Sequence, residues 1–269
     1  MSMAPLGKWS PEQQKRLDAF DSPRSVDIHC HCLPGLDDGP ATLAEAVALC
    51  EALVKDGITT VIATPHQLGR YDRINSAQLI RRAVTELAAE LADRDIPLEV
   101  YPGGDVRVDE RLPRLVDAGE IGTAADAGRH LLLELPHELL VDPTPIIDIL
   151  GERGLQTIMT HPERHHYLKG SIDLPREWVA RGAVLQVTAG SLVGDFGPRA
   201  FDHAWQLVLA GLVGLVATDS HDALRRPPRV SAALHRLTEK IGKDAARLLA
   251  IDNPLRVIEG QLIEPAGVS

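Results

Sequence analysis

The densest chemistry in the sequence lies in Asp27-Ile28-His29-Cys30-His31-Cys32-Leu33-Pro34-Gly35-Leu36-Asp37-Asp38-Gly39. Read as a short buried strand running into a loop that collects ligands, the stretch puts Asp27, His29 and His31 on one face and Ile28, Cys30 and Cys32 on the other. Two imidazoles at i, i+2 can reach one ion, and neutral imidazole suits zinc, manganese and iron. Alone the pair is a weak signal. Here a Pro-Gly turn and two carboxylates come directly after it, which is the composition of a metal-binding loop.

The same residue types recur wherever the sequence suggests that a strand ends. His66 follows the apolar segment 59–64, Asp105 follows 97–101, Glu134 sits in 130–135, His161 follows 155–160, and Asp219 and His221 follow 212–218. The segment 183–188, which ends in Ala189-Gly190, is the exception. The candidate ligand set is therefore His29, His31, Asp38, His66, Asp105, Glu134, His161, Asp219 and His221. Its carboxylates could not be packed together without cations, because like charges repel and desolvation is costly. Mixed His and carboxylate donors fit manganese, iron or zinc better than calcium, with magnesium as a further candidate, and the set is large enough for two or three ions. Arg164 follows His161 by three residues, and Arg225 and Arg226 lie just past His221. Guanidinium groups beside a metal cluster suit a phosphate ligand, whose oxygens Arg can meet two at a time.

Converging such scattered residues requires an architecture that gathers strand ends on one face. From Arg24 onward, strand-like and helix-like segments alternate, which is the pattern of βα units around a parallel sheet. The first helix is expected at about 43–56, capped by Thr42 with Glu45 three residues on and closed by Gly57. Another is expected at 77–93. At 269 residues the chain has the length of one α/β barrel, in which the loops after the strands build the active site. Hydrophobic residues make up 44% and aromatics only 3%, so the core must be aliphatic. Residues 1–23 read as an extension, with a short helix starting at Ser10-Pro11, and 24–269 as the barrel domain.

The formal net charge of -10 argues against nucleic acid or an anionic membrane as partner. Three cysteines give no disulfide framework, and no apolar run reaches the roughly 18 residues of a membrane span. A cytoplasmic location is expected. Cysteine-based phosphatase chemistry is excluded, because none of Cys30, Cys32 and Cys50 has Arg six positions later. No Walker A sequence and no Gly-x-Ser-x-Gly elbow occurs. His130, His137, His165, His166, His203 and His235 read as surface or packing residues.

Leu33-Pro34-Gly35-Leu36-Asp37-Asp38-Gly39 and His161-Pro162-Glu163-Arg164, with Ala63-Thr64-Pro65-His66 and Thr218-Asp219-Ser220-His221, resemble the PHP (polymerase and histidinol phosphatase) superfamily. Within it the chain is most similar to the bacterial metal-dependent protein-tyrosine phosphatases of capsule and exopolysaccharide biosynthesis. The resemblance implies a distorted (β/α)7 barrel and a trinuclear site, with manganese the expected metal. It assigns His29, His31, Asp105 and Asp219 to one ion, Asp105, Glu134 and His161 to a second, and Asp38, His66 and His221 to a third. Arg164 and Arg226 match the phosphate-contacting arginines, and catalysis is expected to depend on them together with Asp219 and His161. The family usually has Glu where this chain has Asp105, one methylene shorter.

The implied reaction is phosphotyrosine hydrolysis by a metal-bridging hydroxide, and the implied partner is a tyrosine-phosphorylated protein such as the tail of a polysaccharide-synthesis tyrosine kinase. A rival in the same superfamily would act on histidinol phosphate or another small ester. A rival of another class is an amidohydrolase, which also starts from His-x-His but commonly uses a lysine where residues 130–135 offer only Glu134. A metal-dependent regulator without catalysis is the remaining alternative.

Overall fold

Parallel strands run through the whole of the computed structural model, which describes residues 24–263. The expected extension, 1–23, lies outside the described residues. The strands are β1 (Val26–Cys30), β2 (Thr60–Ala63), β3 (His66–Gln67), β4 (Glu99–Pro102), β5 (Asp105–Arg107), β6 (His130–Glu134), β7 (Gln156–Thr160), β8 (Val184–Thr188) and β9 (Val213–Ala217). They form a three-stranded ladder β1-β2-β4 and a six-stranded ladder β3-β5-β6-β7-β8-β9. The first and last strands adjoin at their C-terminal ends, where the Asp219 N–H donates to the His29 carbonyl at 2.8 Å and the His31 N–H to the Ser220 carbonyl at 2.9 Å. The fold is α/β with parallel strands, as the alternation of segments predicts.

Its distortion has a local cause. The second and third predicted strands do not end where expected but resume after a break, β2 as β3 and β4 as β5. Pro65 has no N–H to continue the first ladder. At the second break the backbone passes so close to β3 that a Cβ on Gly104 would lie 2.2 Å from Gln67 Oε1. A side chain at 104 would have to displace that of Gln67, which donates to the Asn75 carbonyl. The break turns β3 and β5 inward, carrying His66 and Asp105 toward the other strand ends.

Helices connect the strands: α1 (Leu43–Lys55), α2 (Ala77–Asp93), α3 (Leu112–Asp117), α4 (Thr144–Glu152), α5 (Asp173–Ala180), α6 (Ala189–Val193), α7 (Gly197–Leu209), α8 (Val230–Ile241), α9 (Lys243–Arg247) and α10 (Asn253–Ile258). The capping box at α1 is present, with Thr42 Oγ1 accepting from Glu45 N–H and Glu45 accepting from Thr42 N–H; such a cap stabilises a helix by about 1 kcal/mol. Helix α6, at five residues, is too short to leave a helical pattern in the sequence, whereas α5, at eight, buries Pro175 and Trp178 three positions apart, a helical spacing.

The core divides into two clusters. Ile28, Ile62, Leu132, Ile158, Leu215 and Ala217 meet in one, drawn from strands of both ladders, as only residues on the enclosed side can. Cys30, Val61, Leu133, Met159 and Val187 belong to the other, which packs against the helices and includes Cys50 of α1. This corrects the alternation expected for β1. Ile28 does not share a face with Cys30 and Cys32, because the pairing of β1 with β2 slips: Asp27 faces Val61 but Cys30 faces Ala63, three steps against two. Such a bulge inserts one residue and re-aims the side chains beyond it. Asp27 consequently leaves the histidine face; its carboxylate accepts from the Thr218 N–H at 2.9 Å and the Thr218 hydroxyl at 2.5 Å, tying β1 to the end of β9. Burial pushes the Asp27 carboxyl up to about 7.

Candidate metal centre and active site

The ends of the strands bring together every residue of the candidate ligand set. Donor atoms of His31, Asp38, His66 and His221 lie within 4.8 Å of one another, and the same holds for His29 with His31 and Asp219, for His29 with Asp105 and His161, and for His66 with Asp105 and Glu134. The groups overlap through His29, His31, His66 and Asp105, so the site is one continuous cluster. Their membership differs from the partition that the resemblance implies. His31 reaches the Asp38 group as well as the Asp219 group, and His66 joins Asp105 and Glu134.

Backbone geometry explains how two of these side chains reach the cluster. His161 has φ 35° and Asp219 φ 50°, left-handed conformations that a non-glycine residue adopts at a cost on the order of 1–3 kcal/mol. Each lies just beyond a strand end, where the turn places its side chain in the cluster. Hydrogen bonds hold the turns, from Arg164 N–H to the His161 carbonyl at 3.0 Å and from Asp219 N–H to the His29 carbonyl at 2.8 Å.

The donor chemistry fits divalent cations. His31 Nδ1 is 2.6 Å from Asp37 Oδ2 and His29 Nδ1 is 2.8 Å from Gln186 Oε1, so both rings carry their proton on Nδ1. Both Nε2 lone pairs then face each other across 3.2 Å, an arrangement that needs a cation beside it. Asp105 Oδ2 is buried without a hydrogen-bond partner, 3.6 Å from His29 Nε2, 3.5 Å from His66 Nδ1 and 3.9 Å from His161 Nε2. The shorter Asp side chain thus reaches three imidazoles. Burial, then the nearby Glu134 charge, pushes the Asp105 carboxyl well above the ordinary carboxylate range. Burial holds the His161 and His31 imidazoles neutral, His31 at about 3. Neutral imidazoles around a carboxylate starved of positive charge are a ligand set for metal ions.

Two arginines border the cluster. Arg164 Nη1 pairs with Asp219 Oδ2, and Arg226 Nη2 lies 2.6 Å from the same oxygen and 3.0 Å from the Asp219 carbonyl. Although burial opposes ionisation, Arg226 and Arg164 hold the Asp219 carboxyl well below its usual range. Both guanidiniums also lie over the Phe196 ring, at 4.4 and 5.7 Å from its centroid. Arg225 points elsewhere: its side chain is 90% exposed and its partner is Asp222. Of the two arginines that the sequence offers as alternatives, Arg226 is the one at the cavity.

Asp38, His66, Glu134, His161, Asp219 and His221 open onto a cavity of about 480 Å³ that Arg164 and Arg226 also line. Sequence reasoning missed several of its other parts. Arg107 lines it, with Nη2 at 3.0 Å from Glu134 Oε2; the i, i+2 spacing from Asp105 on β5 was the available signal. His137, expected to be a surface or packing residue, instead lies at the cavity with Nε2 at 3.5 Å from Glu134 Oε1. Tyr71 stacks on His66 at 5.7 Å. Glu163, inside the His-Pro-Glu-Arg motif, points away from the cavity and accepts from Thr188 N–H and the Ser191 hydroxyl, anchoring Arg164 to the start of α6.

Asp37 and Gln186 contact the candidate ligands His31 and His29 and stand outside the donor groups themselves. Asp37 also accepts from the Gly39 and His66 N–H groups, and a Cβ on Gly39 would lie 2.3 Å from the His31 carbonyl, so the turn holds Asp37 against His31. Gln186 sits on β8, the strand without a charged residue at its end; a neutral residue flanked by Leu185 and Val187 carries no signal in the sequence. Gln186→Leu is expected to weaken Mn²⁺ binding about 10–100-fold, as loss of a partner to a ligating His commonly does. Titration calorimetry on metal-free protein checks this, and unchanged affinity would reduce Gln186 to a packing residue.

Comparison with known proteins adds an independent line. The family described as "Capsular polysaccharide synthesis, CpsB/CapC" matches residues 25–259. The tyrosine-protein phosphatase YwqE of Bacillus subtilis is 30% identical over 239 residues, covering 88% of this chain and 93% of that protein. The putative tyrosine-protein phosphatase CapC of Staphylococcus aureus is 31% identical over 204 residues, covering 75% and 79%. A chain from the crystal structures of YwqE and of Streptococcus pneumoniae CpsB, described as unique metal-dependent tyrosine phosphatases, superposes with a TM-score of 0.85 at 30% identity, covering 91% of this chain and 99% of that one. A lactonase from Listeria monocytogenes, at 12% identity and a TM-score of 0.55, shares the fold alone.

Proposed function

Because the chain belongs to the CpsB/CapC family of capsular polysaccharide synthesis, we propose that it is a metal-dependent phosphatase that hydrolyses phosphotyrosine in proteins. The observation that carries the reading is the meeting of Arg164 and Arg226 on one oxygen of Asp219, at the edge of a cluster of imidazoles and carboxylates and open to a cavity.

His29, His31 and Asp219 would hold one ion, His161, Asp105 and Glu134 a second, and Asp38, His66 and His221 a third, with manganese the metal we favour. Asp105 would serve the first ion as well as the second. When bound, such ions supply a nucleophile at neutral pH by lowering the pKa of water, and they neutralise phosphoryl oxygens. The protein supplies the rest. Arg164 and Arg226 would receive the equatorial oxygens of the transferring group, already aimed by Asp219 and Phe196, so little reorganisation is needed as charge redistributes. Asp37 and Gln186 keep the Nε2 atoms of His31 and His29 free of protons. Tyrosinate, with a parent pKa of about 10, leaves without a strong general acid. Tyr71 and His137 would flank the aryl ring, since both line the cavity.

The partner we propose is a tyrosine-phosphorylated protein, the tail of a polysaccharide-synthesis tyrosine kinase being the leading candidate, in the cytoplasm. No helix among the described residues is long and apolar enough to cross a membrane. The test is turnover of a phosphotyrosyl peptide against histidinol phosphate with Mn²⁺ present. We expect the peptide to be hydrolysed at least about tenfold more efficiently, and the reverse preference would replace this reading with that of a small-ester phosphatase.

A further inference from the structure

A second cavity, of about 520 Å³, lies on the far side of the His-Pro-Glu-Arg segment from the candidate active site. The two are close. His161 lines the first and His165 the second, and their ring centroids are 5.6 Å apart. Residues 163–170 and α7 build the second cavity, whose floor is buried and whose mouth carries the exposed side chains of Lys169, Arg199 and His166.

Those cations differ from most of the others on the molecule. Arginines such as Arg81, Arg111, Arg153, Arg181 and Arg229 are paired with carboxylates. Among the described residues, neither Lys169 nor Arg199 forms an ion pair, although both face the same concavity. The carboxylate in the floor does not answer them either, because Glu163 is only 3% exposed and is held by Thr188 and Ser191. On a chain of formal net charge -10, a mouth next to the catalytic cavity that bears two unpaired cations against the one exposed carboxylate of Asp202 keeps a local attraction for acidic groups.

We propose that this cavity is a docking subsite for acidic side chains of the phosphoprotein substrate, a few residues along the chain from the phosphotyrosine. Lys169 and Arg199 receive the carboxylates, while Asp202 and Gln206, also at the mouth, accept from the N–H groups of the peptide. The subsite contributes affinity and selection among substrates and takes no part in the chemistry. The proposal rests on the phosphotyrosine reading for its substrate, but not for the binding itself.

The experiment compares wild type with the double variant Lys169→Ala/Arg199→Ala, both positions being exposed and outside the catalytic machinery. Phosphotyrosyl peptides flanked by glutamates and the same peptides flanked by alanines are the substrates, at low ionic strength. Wild type should favour the glutamate-flanked peptides through a lower KM, by about tenfold for two exposed charge contacts, and the double variant should lose that preference while hydrolysing p-nitrophenyl phosphate as before. Lack of preference in wild type, or its persistence in the double variant, overturns the proposal. Anisotropy of fluorescein-labelled hexaglutamate gives a readout independent of catalysis: binding should weaken about tenfold in the double variant, and equal binding overturns the subsite. If p-nitrophenyl phosphate is turned over but no phosphotyrosyl peptide is, the functional reading fails, and the anisotropy result still decides the cavity.

Discussion

Stripping divalent cations from the protein with a chelator should lower p-nitrophenyl phosphate turnover by at least about 10³-fold, and Mn²⁺ should restore it. The expectation rests on the electrostatics of the cluster. Asp105, Glu134 and Asp219 are buried among imidazoles, Asp105 sharing His66 and His161 with Glu134 and His29 with Asp219, and one Asp105 oxygen has no hydrogen-bond partner. Burial, with Glu134 beside it, drives the Asp105 carboxyl toward its neutral form, and cations reverse that preference. The same ions should also stabilise the fold, because a ligand that binds only the native state adds about 2.7 kcal/mol at a hundred times its Kd. Melting temperature should therefore rise with Mn²⁺ concentration. Activity and melting temperature that ignore chelation would remove the metal mechanism altogether.

Arg226→Ala should reduce kcat by about 10²–10³-fold, the range seen when one preorganised oxyanion donor is removed, whereas Arg225→Ala should stay within about twofold of wild type. The two residues are adjacent in sequence and chemically identical, so the contrast isolates geometry. Arg226 is 28% exposed, bonds both the carboxylate and the carbonyl of Asp219, and lies over Phe196. Arg225 is 90% exposed with Asp222 as its partner. Kinetics on p-nitrophenyl phosphate are sufficient to check this, since the phosphate and not the peptide is what Arg226 would hold. Equal effects at both positions would show that Arg226 acts through general charge rather than by contact.

Much of the fold was legible because α/β units write themselves in short-range signals. The capping box at Thr42 and Glu45 and the inward face of α2 depend on spacings of three and four residues, which need no tertiary information. Helix α6, at five residues, is too short to show a period. The bulge in β1 was equally invisible, since it exists only in the pairing of β1 with β2, and it moved Asp27 off the face that strict alternation assigns to it.

For the site, residue type and position at strand ends were enough to name His29, His31, Asp38, His66, Asp105, Glu134, His161, Asp219 and His221 as a set, because parallel strands gather their C-terminal ends whatever the details of packing. Which of them share a donor group was decided by the tertiary structure. The left-handed turns at His161 and Asp219 and the break at Gly103-Gly104 re-aim side chains by amounts that no linear spacing encodes. Asp37, Gln186, Arg107 and His137 were also settled only there, since each acts through a partner brought near by folding. The sequence by itself determined the chemistry available, a surplus of carboxylate and imidazole with arginine close by. The choice between Arg225 and Arg226, and the second cavity beside the first, came from the fold, because they depend on which way a loop turns.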